Sequence, residues 1–383
     1  MKWELKSLDE IGFIGRGKSR FRPRNAQHLY GGIYPFIQTG DIKAANFKVT
    51  DFTQTYNEAG LEQSKLWKEG TLCITIAANI ADTAILGIDA CFPDSIIGFV
   101  PYEGKSDVKF VKYFFDIFQA RMKSIAVGAA QDNLSLEKLL SFKIPTPPLP
   151  TQRRIASILS AYDDLIENNL KRIKLLEEKA FLMYKGIVKS EKLEKRILSE
   201  FGEIITGKTP STTNHAFFGN DIPFIKTPDM HKQIFIESTE QSLSELGAKS
   251  QEKKFLPLLS LCVSCIGTAG VVGITSKPSQ TNQQINAIVF HEPKNVYFFY
   301  ALMSQMKEQL DALGSNGSTF TNVNKNKFEN MEVFIPNKNV LNEFAMKHEN
   351  SFKLILILQK QNIKLREARD ILLPRLMSGE IEV

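Results

Sequence analysis

Apolar positions along the chain follow two rhythms, and each rhythm occurs twice. Short aliphatic runs, clearest at Leu72 to Ala77 and Ile96 to Val100, are bounded by turn residues and predict strands between residue 1 and about residue 144. The period then lengthens. Phe110, Phe114, Phe118 and Met122 recur every four residues and predict a helix from about Val108 to Ile125. The run Pro145-Thr146-Pro147-Pro148-Leu149-Pro150 imposes extended backbone and marks a rigid joint, after which Thr151 is placed to cap a second, longer helix. From Thr151 to about Val188 no proline intervenes. One seam runs through Ile155, Leu159, Tyr162, Ile166, Asn169, Ile173, Leu176, Ala180, Met183 and Ile187 in alternating steps of four and three, the coiled-coil spacing.

The same order then returns about 190 residues later. Ile33-Tyr34-Pro35-Phe36-Ile37-Gln38-Thr39-Gly40-Asp41 becomes Ile222-Pro223-Phe224-Ile225-Lys226-Thr227-Pro228-Asp229. Gly17-Lys18-Ser19 becomes Gly207-Lys208-Thr209, and Leu72-Cys73-Ile74 becomes Leu261-Cys262-Val263. Val296 to Leu313 takes the place of the Phe110 helix. A second seam, Phe344, His348, Ser351, Ile355, Leu358, Asn362, Leu365, Arg369, Leu372 and Leu376, has the same steps, is more polar, and is expected to bend or end near Pro374. A lone amphipathic helix of this length would expose its seam, so the two helices are expected to bury their seams against each other, with Asn169 and Asn362 penalising wrong registers. The predicted architecture is α+β: a unit at 1–150, a long helix at 151–192, a second unit at 193–338 and a C-terminal long helix at 339–383. A duplicated chain of this kind presents two related but diverged faces, which suits a target with two unequal halves.

No uninterrupted apolar run approaches the roughly 18 to 20 residues of a membrane span, and the start Met1-Lys2-Trp3-Glu4-Leu5 lacks the apolar core of a signal peptide; a cytoplasmic location is expected. Four cysteines, three of them (Cys73, Cys262, Cys265) in strand-like runs, fit buried reduced thiols. The net charge of +6 permits a polyanionic partner without requiring one. Its distribution says more. Between Ile11 and Gly40 stand Arg16, Lys18, Arg20, Arg22 and Arg24 with no acidic residue, so this stretch is either a solvated loop or a tracker of phosphates.

Two motifs suggest chemistry. Gly12-Phe-Ile-Gly-Arg-Gly17-Lys18-Ser19 matches the phosphate-binding loop pattern, and so does its repeat ending in Gly207-Lys208-Thr209. Pro210 follows Thr209 directly, Pro23 follows Ser19 closely, and neither copy has an acidic strand end for magnesium, which argues against ATP hydrolysis. Recurrence at equivalent positions favours a turn with one shared structural or phosphate-contacting role. Cys262-Val-Ser-Cys265 lacks a second pair and nearby histidines, and strand alternation places its two sulfurs on opposite faces. No catalytic centre is visible. What remains is polar. Gln38, Thr39 and Asp41, matched by Lys226, Thr227 and Asp229, either read base edges or cap the next turn. Gln280, Asn282, Gln283, Gln284 and Asn286 crowd amides of the kind that pair with adenine. Gln131 and Asn133, with their counterparts Ser318, Thr319 and Thr321, lie in polar turns after the two shorter helices.

With these residues assembled, the chain resembles the specificity subunit of a type I restriction-modification system. The likeness rests on Pro148-Leu-Pro-Thr-Gln152-Arg-Arg-Ile155-Ala, on Asp163-Asp164-Leu165-Ile166, and on the ending Leu373-Pro374-Arg375-Leu376-Met377-Ser378-Gly379-Glu380-Ile381. The second copy departs from the first at Asn337-Lys338-Asn339-Val340-Leu341, where the prolines and the glutamine are missing. The resemblance implies two target-recognition domains, each reading half of a bipartite asymmetric DNA site, held apart by an antiparallel helical pair. It implies double-stranded DNA as ligand, with adenine methyltransferase and restriction subunits as partners. It also implies no catalysis and no cofactor in this chain, with S-adenosylmethionine, ATP and Mg2+ on those partners. Expected DNA contacts are Lys18, Ser19, Arg20, Arg22, Arg24, Gln38, Thr39, Asp41, Gln131 and Asn133 in the first unit. In the second they are Lys208, Thr209, Lys226, Thr227, Asp229, Gln283, Gln284, Asn286, Ser318, Thr319 and Thr321. A helix of nearly forty residues spans roughly 60 Å at about 1.5 Å per residue, against about 34 Å for one duplex turn, so its length can act as a ruler for an unread spacer. Two other readings are an ATP-binding enzyme using the paired loops and a coiled-coil scaffold with no DNA role.

Overall fold

Short β-branched runs between turn residues build the sheets, and the computed structural model describes them for residues 3–23, 25–45, 47–77, 81–125, 135–231, 233–314 and 321–383, with backbone alone at 120–125 and 321. The chain divides into two units, Met1–Glu167 with Lys364–Val383, and Asn168–Ile363. Each unit therefore includes part of both long helices.

In the first unit a five-stranded sheet has the order Gly12–Arg16, Ile96–Pro101, Leu72–Thr75, Thr83–Leu86, Lys48–Val49, antiparallel except at its last pair. Its central strands are buried on both faces, which is why they read as continuous apolar runs rather than alternating ones. One face is covered by the helix Val108–Ile125, where Phe110 and Tyr113 are buried beside Ile74 and Ile97. Met122, the last residue of the predicted stripe, has a side chain outside the described residues. A second sheet, Gln54–Tyr56, Tyr30–Phe36, Ala90–Cys91 and Leu66–Trp67, carries the polar turn that follows Phe36. The ribbon Glu4–Lys6 with Ile144–Thr146 delivers the chain to the long helix.

The second unit repeats this plan. Its five-stranded sheet runs Gly202–Thr206, Ile285–Phe290, Leu261–Ser264, Val272–Thr275, Phe235–Ile236, and Gln241–Leu243, Ile222–Ile225 and Gln280–Thr281 form the core of its second sheet. The register repeats as well: Phe36 pairs with Gln54, and Phe224 pairs with Gln241. The helix expected over Val296 to Leu313 is two helices, Val296–Met303 and Lys307–Gly314. The carbonyl of Tyr300 accepts both the amide and the hydroxyl of Ser304, at 3.1 and 2.7 Å, and the next amides bond three residues back, so the first helix tightens and stops.

One expectation about the long helices needs correction. The central helix is Leu149–Ser190 and begins before Pro150. A proline in the first turn lacks an N–H that would have no partner there, and the amide of Gln152 already bonds the carbonyl of Pro148 at 3.1 Å. The C-terminal helix, Lys338–Met377, runs through Pro374 and ends at Met377, close to where it is expected to bend or end. Pro374 and Asp370, four residues earlier, are both exposed, so water can satisfy the carbonyl that the proline leaves without a donor.

Within each unit the helix segments pair in antiparallel sense along the expected seams. In the first, Ile155 and Leu159 share a core with Leu373 and Leu376, and Asp163 is buried against Arg369 and the hydroxyl of Tyr113. In the second, Asn169 opposes Asn362 and Met183 opposes His348. No described helix is long and apolar enough to cross a membrane.

Candidate nucleic-acid interface

The glycine-lysine turn is built identically in both units. At the end of the strand Gly12–Arg16, the Gly17 amide donates to the Ile96 carbonyl at 2.9 Å and the Lys18 amide to the Phe92 carbonyl at 3.0 Å. In the second unit Gly207 donates to Ile285 at 3.1 Å and Lys208 to Thr281 at 2.9 Å. Glycine is required by close approach: a Cβ on Gly17 would lie 2.3 Å from the Phe92 carbonyl oxygen, and one on Gly207 would lie 2.1 Å from that of Asn282. These amides are used by the protein's own carbonyls, so they do not form the anion cradle of a nucleotide-binding loop. The lysine side chains, Lys18 and Lys208, are exposed.

The loop after Lys18 is held from beneath. Ser64 Oγ donates to the Lys18 carbonyl at 2.7 Å, and the Phe21 amide donates to Gln63 Oε1 at 3.0 Å. Arg22, expected to contact phosphate, instead folds back: its Nη1 donates to the Ser19 and Phe21 carbonyls at 2.5 and 2.9 Å, and Nη2 lies 3.7 Å from Asp94. Lys18 and Arg20 project into solvent. They are joined by Lys65, which no sequence pattern singles out. Its ammonium sits 3.7 Å from the Trp67 ring centre and 4.7 Å from that of Phe13. Burial, and then the charge of Lys18, lower the Lys65 pKa from its ordinary value, so like charges are gathered here.

Two residues beyond Phe36 the chain turns into the short helix Thr39–Ala44, and Asp41 reaches back so that its Oδ2 accepts the Gln38 amide at 2.8 Å. Asp229 does the same for the Lys226 amide at 2.8 Å, and its other oxygen accepts the Glu240 amide at 2.9 Å. Both aspartates are caps. The Gln38 side chain points elsewhere: its Nε2 donates to Gln54 Oε1 at 2.8 Å. A cleft of about 400 Å³ then brings Ser19, Gln38 and Thr39 together with Tyr30, Phe36 and Gln54. Gln54 lies in a polar stretch with no periodic signal, and only its pairing with Phe36 places it here.

The amide cluster of the second unit is largely internal. Gln280 is fully buried, donating to the Ala248 carbonyl at 2.9 Å and accepting from Gln251 at 2.7 Å. Asn286, expected to touch a base, is buried; it accepts from Thr206 at 2.6 Å and donates to the Val323 carbonyl at 3.0 Å. Thr227 is buried as well. Both are corrections: the Asn286 amide is taken up inside its sheet by Thr206 and Val323, and Thr227 is enclosed at the start of the helix Thr227–Met230. Gln283 is exposed and accepts from Thr209 at 2.6 Å, while Gln284 is half-buried and bonded to Asn282 at 3.0 Å. Arg24, Gln131, Asn133, Ser318 and Thr319 lie outside the described residues; Thr321 is described only as backbone, pairing with Gly267.

Among the described residues no group of three or more His, Cys, Asp or Glu is placed to hold a metal ion. Cys262 and Cys265 pack into different hydrophobic clusters, and burial raises their thiols to about 12 and about 11. What the geometry offers is a pair of polar faces, each flanked by an exposed lysine.

The family model described as the type I restriction modification DNA specificity domain matches residues 1–178 and 190–365. Over 190 residues, 49% of this chain and 41% of the relative, the sequence is 44% identical to the type I restriction enzyme HindI specificity subunit of Haemophilus influenzae, so that match spans less than half of the relative. The MjaIX specificity subunit of Methanocaldococcus jannaschii is 25% identical over 417 aligned positions, which cover all of this chain and 94% of that one. Among solved structures, the type I restriction-modification S subunit from M. genitalium shares the fold, with a TM-score of 0.59 at 16% identity over 98% of this chain and 96% of that one. Matched along both copies of its repeat, the chain belongs to the type I restriction-modification DNA specificity family.

Proposed function

We propose that this chain reads a bipartite, asymmetric DNA target, one half-site per unit, for a complex in which partner subunits perform the chemistry. One observation carries the reading: both units build the same seat, an anchored glycine-lysine turn beside an aspartate-capped turn, while the side chains presented there have diverged. Shared backbone with changed side chains is what two related readers of different sequences require. Lys18, Arg20 and Lys65 then serve as phosphate contacts in the first half, and Lys208 in the second.

The partners in this reading are adenine methyltransferase and restriction subunits. S-adenosylmethionine, ATP and Mg2+ belong to them, and this chain supplies addresses without catalysis. Apolar side chains outside the seams support docking of the methyltransferase: Leu175 and Leu182 are 65% and 70% exposed, seven residues apart on one helical face, and Met346 is 74% exposed. The complex works in the cytoplasm, where the chromosome is. The test is to map methyladenine in cells that co-express this chain with its cognate methyltransferase subunit. A split motif with a fixed gap is expected, and a single continuous motif would overturn the reading.

A further inference from the structure

The two units differ at one register-equivalent pair of side chains. Phe36 pairs with Gln54 and Phe224 with Gln241, and the residue two positions after each phenylalanine is Gln38 in the first unit and Lys226 in the second. Both stand at the N-terminal boundary of a short helix, with their backbone amides capped by Asp41 and Asp229. The backbone path and the partner glutamine are thus kept, and an amide is exchanged for an ammonium.

That exchange alters the hydrogen-bond pattern presented. Gln38 donates to Gln54 at 2.8 Å, an amide-to-amide contact that consumes one donor and one acceptor. It leaves the Gln38 carbonyl oxygen as acceptor and the Gln54 amine as donor, on two residues that line the same cleft as Ser19. The major-groove edge of adenine shows one donor, N6, beside one acceptor, N7, and is the complement of that pair. Guanine shows two acceptors, O6 and N7, and would set O6 against the glutamine oxygen. At the second site Lys226 offers only donors, which suit guanine and clash with the adenine N6 amine.

We infer that Gln38 with Gln54 selects an adenine in the half-site read by the first unit, and that Lys226 with Gln241 selects a guanine in the half-site read by the second. This rests on the proposed DNA-reading role and names the bases for it. The side chain at 38 plays no part in capping, and lysine already occupies the equivalent place in the second unit, so exchange at either site leaves the helix boundary intact.

The experiment is motif mapping with the full chain in complex with its methyltransferase subunits, alongside thermal melting of each variant. Lys226→Gln is expected to turn one guanine of the second half-site into adenine and leave the first half-site unaltered. Gln38→Lys is expected to do the converse in the first. Gln54→Ala, which removes the donor without adding charge, should relax discrimination at the same adenine by roughly 5- to 150-fold, the span of one good bidentate contact. A wild-type complex without any split motif defeats the DNA-reading proposal itself. A split motif whose half-sites stay the same in folded Gln38→Lys and Lys226→Gln chains overturns this inference and leaves that proposal standing.

Discussion

Asn169 of the central helix donates its Nδ2 to the Oδ1 of Asn362 on the C-terminal helix, 2.9 Å away, and both side chains are buried in the seam between the helices. An amide pair at this depth contributes little net stability, because each group gave up water to enter. Its effect is on register: slide the helices by one heptad and the two asparagines no longer meet.

Asn169→Leu alone should therefore destabilise the second unit by about 1 to 3 kcal/mol, since it strands the Asn362 amide without a partner. Asn169→Leu with Asn362→Leu should recover most of that loss. Urea unfolding of the four chains in the cycle measures it, and a neutral single variant would show that the pair does not hold register.

The basic loop separates into residues that face solvent and one that holds the loop itself. Lys18→Ala and Arg20→Ala should each flatten the log–log salt dependence of DNA binding by up to about 0.9 per lost phosphate contact, leaving site preference unchanged. Arg22→Ala should instead lower the melting temperature of the first unit, because its guanidinium ties the Ser19 and Phe21 carbonyls and Asp94 together. Titrations at several salt concentrations, read beside melting curves, separate the two; equal slopes for all three variants and wild type would make the loop ordinary surface.

His348 couples the helix pair to pH. Its Nε2 lies 3.1 Å from the Met183 sulfur, and burial, followed by the charges of Lys179 and Lys347, holds its pKa below 6.5. A histidine depressed by folding stabilises fully above its unfolded pKa and loses that contribution as pH falls through the folded value. His348→Leu, which cannot take up the proton, should lose less melting temperature than wild type between about pH 7.5 and pH 5.5. Parallel losses in both proteins would remove His348 as the cause.

The repeated order of elements, the seams of the long helices and the Asn169–Asn362 match were legible in the chain because each depends on periodicity, and periodicity survives without knowledge of neighbours. Gly17 and Gly207 were legible as a repeated need for glycine, though the sequence alone left two explanations and only the Phe92 and Asn282 carbonyls beside them chose between them. Tertiary structure decided the rest of the candidate interface. Gln54 enters it through strand pairing with Phe36, and Lys65 through the contact of its ammonium with the ring of Phe13, both distant in sequence. Asn286 and Thr227 leave it because the fold buries both, one within a strand and one at a helix start. A polar side chain has the same chemistry on either face of a strand, and which face meets solvent is set by partners that no local pattern reveals.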